Sequence, residues 1–206
     1  MSNISSTMNN NKRPAKSKKY QLIIETARDL FMRYGIKRVT VEEICETASV
    51  SKMTFYKYFK NKLDLALFIL HNILEVGINR YKRIMDQDVP YSEKAKEIIK
   101  LKLESTEDIS KEMLKDFYVS SIPEVAELMQ KITQESFKLL LDDMIAAQKK
   151  GEIRQDINLH FIIYMIGQMQ EMAADEKLLS MYGSTQALAS EFINFFFYGI
   201  LSRKEE

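Results

Sequence analysis

The sequence predicts an all-α protein in which a short N-terminal helix-turn-helix segment is joined by a long helix to a larger, all-helical part. Three observations lead there. Residues 40–62, TVEEICETASVSKMTFYKYFKNK, fit two short capped helices and a tight turn into the size of a helix-turn-helix reader. Beyond them, apolar residues recur at three- and four-residue spacing, the period of amphipathic helices. Charge is also divided: residues 1–62 hold 13 Lys or Arg against 5 Asp or Glu, a net +8, and the remainder holds 17 against 24, a net −7. A basic segment joined to an acidic one suits phosphate binding by the first, because each neutralised phosphate releases counterions.

Residues 1–16 are rich in Ser and Asn and lack hydrophobic periodicity, which predicts a flexible basic arm ending in Lys12, Arg13 and Lys16. A helix is expected from Ser17, with Ile23, Ala27, Leu30, Phe31 and Tyr34 on one face and Gly35 as its stop. Thr40 and Glu43 form a capping box that starts a second helix at Val41. That helix runs only to about Ala48, because Ser51 offers a new N-cap. In the third helix Phe55 and Phe59 share the face to be buried, while Met53 and Lys57 fall opposite, flanked by Thr54 and Tyr56. Phe31, Ile44, Phe55 and Phe59 make a small core that needs the next helix for support.

Asn61 and Asp64 repeat the capping pattern and put Lys62 in the first turn of that next helix. A cation there opposes the helix dipole, and a bound phosphate would remove the conflict. The helix runs to about Met85 and is apolar on more than one face, with Leu63, Leu67, Leu70 and Leu74 on one and Phe68, Ile69, Ile73 and Val76 around them. Residues 86–91 break it at Pro90. Further helices are expected over 92–105, around Ile109, Met113, Leu114 and Phe117, from Pro123 to a stop at Gly151, over 158–174 and over 185–201. The domains expected are therefore the arm 1–16, a DNA-binding unit 17–62 and a helical unit 63–206.

Residues 51–62, SKMTFYKYFKNK, resemble the signature of the TetR family of bacterial transcriptional regulators, including the aromatic pair Tyr56 and Phe59 and the Lys62 that opens the next helix. The similarity in detail covers about residues 18–65, and beyond them only the all-helical plan is shared. It departs from the family where Ser49 and Met53 stand in place of the common Gly or small residue. Serine at a turn position of positive φ implies strain, and Met53 means that base preference does not carry over from a Gly-bearing relative. The resemblance implies a DNA-binding regulator. By their positions, Ser51 caps the reading helix and Lys52, Met53, Tyr56 and Lys57 meet base edges or sugars. Thr40, Thr54, Tyr58 and Lys62 then contact phosphates.

The final helix carries two apolar stripes, one of Leu188, Phe192, Phe195 and Phe196 and the other of Ile193, Phe197, Ile200 and Leu201. Ile193, Phe196, Phe197 and Ile200 are the expected self-association face, and the resemblance likewise implies a homodimer paired through its last two helices. A dimer would read a pseudo-palindromic site in double-stranded DNA. The acidic part is rich in Met and aromatics. The family's habit of binding a small molecule there implies a pocket among Tyr81, Met85, Phe117, Tyr118, Met144, Tyr164, Met165 and Gln168 for an effector of unknown identity. Control by a protein partner, or no gating at all, is the alternative.

Other functions find little support. There is no Glu-x-x-His pair, Cys-x-x-Cys, phosphate loop or nucleophile elbow, so no catalytic residue, metal site or cofactor is expected. The single cysteine, Cys45, and the two histidines, His71 and His160, read as packing or surface residues. No apolar run is long enough for a transmembrane helix, and the N-terminus lacks a signal peptide's apolar core, which implies the cytoplasm.

Overall fold

The computed structural model describes residues 17–106 and 109–200, without the side chains of residues 106 and 196–200. The expected arm, and the side chains of Phe196, Phe197 and Ile200, lie outside the described residues. Among the described residues the regular structure is helical throughout. The Ser17 hydroxyl accepts from the Tyr20 amide at 3.2 Å and starts α1 (Lys18–Tyr34), which Gly35 ends at a φ of 77°. α2 (Val41–Thr47), α3 (Lys52–Tyr58) and α4 (Lys62–Met85) follow, each opened by its expected cap: Thr40, Ser51 and Asn61 accept from the amides of Glu43, Thr54 and Asp64.

α5 (Tyr91–Thr106) starts after Pro90, α6 (Lys111–Tyr118) after the cap Ser110, and α7 (Pro123–Lys149) with proline in its first turn. α8 (Leu159–Met172) is capped by Asn158 and α10 (Thr185–Ile200) closes the described chain. Between them the sequence reading missed α9 (Glu176–Ser180), a single turn capped by Asp175. A helix of that length has no room for a hydrophobic period, and only its cap marked it.

Two cores organise the molecule. The first gathers Ile23, Ala27 and Phe31 of α1, Ile44 of α2, Phe55 and Phe59 at α3, and Leu65, Ala66, Ile69 and Leu70 of α4. It continues without a break into Met113 of α6 and Val125 and Met129 of α7, so the helix-turn-helix segment is seated on the larger part rather than tethered to it. The second core, at the far end, joins Tyr91 and Ala95 to Met144, Ala147, Ile153, Leu159 and Ile162.

Between the cores, packing thins. α4 has no buried residue from position 71 to 83, α7 none from 130 to 143, and α8 none after Ile162. These three helices of the larger part thus share a loosely filled middle, where the pocket was expected.

The expected pocket residues divide accordingly. Tyr81, Phe117, Met165 and Gln168 are half-buried. Met144 is fully buried in the second core, and Met85 packs against that core, so both serve packing rather than an open wall. Tyr164 is 62% exposed beside Phe161, on the side of α8 opposite the buried Ile162, because positions two apart on a helix face nearly opposite ways.

Candidate nucleic-acid interface

α3 divides cleanly between its two faces. Phe55 and Phe59 are buried, 0% and 1% exposed, and Phe59 stacks on Tyr20 of α1 with ring planes 9° apart at 5.6 Å. Opposite them Met53 and Tyr56 are the exposed side chains, at 82% and 55%, with Lys52 and Lys57 exposed beside them. An apolar methionine and a tyrosine ring held out in water by a well-packed helix are poised for a partner surface. Edge-on contact with the Phe55 ring, at 5.3 Å, orients Tyr56.

The turn before α3 is tight because Ser49 adopts a φ of 52°, the positive value its place in the motif implied. The Val50 amide donates back to the Cys45 carbonyl at 2.9 Å, which closes the turn and fixes the α2–α3 crossing. Cys45 itself is buried and free, and desolvation first, then the nearby Glu42 carboxylate, pushes its thiol above the usual range.

The expected phosphate ligands have internal partners as well. The Lys62 ammonium donates to the carbonyls of Val39 at 2.7 Å and Lys37 at 3.1 Å, tying the start of α4 to the segment that leads into α2. Burial holds that ammonium below the usual lysine range. Its third proton is left for a further acceptor. The Tyr58 hydroxyl bonds the Ser17 hydroxyl at 2.7 Å, which links the end of α3 to the cap of α1. Thr54 shares a 3.0 Å bond with Ser51, and the Thr40 hydroxyl caps α2. Lys52 reaches across to Glu42 on α2 at 2.5 Å, and the hydrogen bond between them raises the lysine and lowers the carboxyl. That pair is exposed, so exchange of Glu42 for a DNA anion costs little.

Sequence reasoning missed the groups that hold this face in place. Asp116 on α6, only 8% exposed, accepts from the Ile36 amide at 2.7 Å, eighty positions away along the chain. The Ser110 amide donates to the Met32 carbonyl at 2.9 Å, and the Arg38 guanidinium lies 4.4 Å over the Tyr34 ring. Such partners come together only in three dimensions. An acid on an amphipathic helix carries no sign of them.

Among the described residues no group of three or more His, Cys, Asp or Glu side chains could hold a metal ion, and no helix is long and apolar enough to cross a membrane. Residues 23–68 match the family described as "Bacterial regulatory proteins, tetR family". The chain is 29% identical to the HTH-type transcriptional regulator RutR of Escherichia coli K12 over 164 residues, 78% of this chain and 76% of RutR. Its fold is similar to that of the fatty acid degradation regulator FadR from Bacillus halodurans, with a TM-score of 0.70 at 18% identity over 92% of this chain and all of that one. It is similar as well to a transcriptional regulator from Saccharomonospora viridis in complex with choline, with a TM-score of 0.73 at 18% identity over 91% and 100% of the two chains. With residues 23–68 matched from within α1 to the start of α4, and the helix-turn-helix they form folded with its α3 face turned to solvent, the chain carries the DNA-binding segment of the TetR family of bacterial transcriptional regulators, proteins that bind DNA and are not enzymes.

Proposed function

We propose that two copies of this chain pair through α8 and α10 and set their α3 helices in successive major grooves of a pseudo-palindromic operator, where the dimer acts as a cytoplasmic repressor. Met53, Tyr56, Lys52 and Lys57 meet base edges and sugars, while Thr40, Thr54, Tyr58 and Lys62 fix the register on phosphates. The carrying observation is the exposed Met53 and Tyr56 held on a helix whose other face is sealed by Phe55 and Phe59. Pairing is supported by Phe161, Tyr164 and Phe195, exposed at 56%, 62% and 73% on α8 and α10, too much apolar surface to leave in water. Ile193 is half-buried on the same final helix.

A small apolar ligand in the loosely filled middle of the larger part releases the operator. It does so by preferring one arrangement of α4, which begins at the DNA-facing segment and ends beyond that middle. Selecting bound fragments from a random DNA pool at several salt concentrations tests the reading. A palindrome with half-centres about 34–36 Å apart is the expected outcome, and no enrichment over random sequence rejects it.

A further inference from the structure

Lys102 stands where a helix facing a core has an apolar residue. On α5, Tyr91, Ala95 and Ile98 recur at helical spacing and are only 3%, 0% and 7% exposed; Lys102 is the next position on that line. Yet its side chain is exposed, so on the inward side of the helix it enters open space instead of packed neighbours. The register says which space. Ile98 and Leu101 cluster with Ile84, Tyr81 and Met85 of α4, and Arg80 pairs with Glu104 at 2.7 Å. Lys102 therefore lies alongside the stretch of α4 that has no buried residue.

No anion among the described residues balances it. Among the described residues the Lys102 ammonium has no hydrogen-bond or ion-pair partner, and burial alone pushes it below the usual lysine range. The acids nearest in register are engaged elsewhere: Glu104 holds Arg80, and Asp143 accepts from the Tyr81 hydroxyl at 2.8 Å. Tyr118 on α6 shows the same combination, 37% exposed and yet with its phenol raised by burial, as a group facing a recess would be. A desolvated cation without a counter-charge weakens the fold, and a ligand that brings the charge removes that cost.

We infer that the effector is an amphiphilic carboxylate whose anionic head pairs with Lys102 while its apolar body occupies the loosely filled middle shared by α4, α7 and α8. This rests on the reading of that space as an effector site and adds the charge of the ligand. The ammonium donates to the carboxylate as a charge-assisted hydrogen bond, and no covalent step is involved.

The test uses the full chain with a series of straight-chain carboxylates from hexanoate to palmitate, the matching primary alcohols, and alkyltrimethylammonium ions. Thermal melting reports binding, and fluorescence anisotropy reports affinity for selected DNA. At least one carboxylate should raise Tm while the alcohol of equal length does not. Lys102→Met should weaken carboxylate binding about tenfold or more, and Lys102→Arg should retain it. The Met variant alone should melt no lower than the parent, since it removes an unbalanced charge from the inward side of α5, which also guards against misfolding as the cause. Alcohols or ammonium ions that bind as well as carboxylates, carboxylate binding unchanged by Lys102→Met, or no binding across the carboxylate series would each overturn the inference. If an uncharged probe releases DNA, ligand gating stands and the carboxylate falls; if a carboxylate binds through Lys102 but leaves DNA affinity unchanged, the pairing stands and gating falls.

Discussion

Ser49 turns the chain between α2 and α3 at a φ of 52°, a conformation that L side chains adopt at a cost. Replacing it with glycine removes that strain and adds some unfolded-state entropy, so Ser49→Gly should stabilise by about 0.5–1 kcal/mol. The midpoint of urea unfolding measures this, and a lower midpoint would show that the serine side chain earns its place some other way. Lys62 poses a different question, because its ammonium already holds the Val39 and Lys37 carbonyls. Lys62→Ala should weaken binding to every DNA sequence and lower the salt slope by about 1 if the third proton reaches a phosphate. Weaker binding with an unchanged slope would reduce Lys62 to a residue that positions α2.

At this scale the sequence was legible where chemistry is local. The caps Thr40, Ser51 and Asn61 each bond the amide three residues on, which spacing alone specifies. The ties of Lys62, Tyr58 and Asp116 were not legible, because each partner lies between 23 and 80 positions away.

Among the elements, α6 has the most consequential seat. It presses on the turn after α1 so closely that a Cβ on Gly35 would come within 3.0 Å of the Glu112 Cβ and 3.1 Å of the Asp116 carboxylate. Gly35 also sits at a positive φ, so two separate constraints require glycine there. The Asp116 carboxylate then takes up the Ile36 amide, which no helix satisfies. Asp116→Ala leaves that buried donor unpaired and should cost about 1–3 kcal/mol, whereas Asp116→Asn keeps an acceptor and should cost less. Denaturant unfolding of the two variants separates them, and equal losses would mean that the hydrogen bond is not what matters.

Helix existence was readable from the apolar period for every long element, and the ends of α4 fall where Asn61 and Asp86 put them. α9 escaped because its one turn buries little besides Leu179. The different seats of Tyr164, exposed, and Met144, buried, were hidden for a related reason: composition names residues able to line a cavity, and only packing shows which way each one faces.

Across the whole molecule, the exposed aromatics of α8 and α10 and the exposed face of α3 lie in separate elements, one suited to pairing and the other to DNA. Phe161→Glu puts a charge into the pairing face without touching the helix-turn-helix. It should convert a dimer to a monomer by light scattering and weaken operator binding by about tenfold or more, because two linked readers bind far more tightly than one. A monomeric parent protein at micromolar concentration would remove pairing from the account. The division of charge, +8 before residue 63 and −7 after it, anticipated this separation from the sequence alone. The unfilled middle did not show in it, since methionine and aromatic residues suit a packed core as well as a recess.

The central claim is that the exposed side of α3 reads base sequence. Fluorescence anisotropy of the full chain on selected and on random duplexes tests it most directly, comparing the parent with a Met53→Ala, Tyr56→Ala double variant. Both side chains are solvent-exposed, so folding and Tm should be unchanged. The account expects the preference for selected over random DNA to fall by about tenfold or more while affinity for random DNA barely moves. A double variant that keeps the full preference would contradict it.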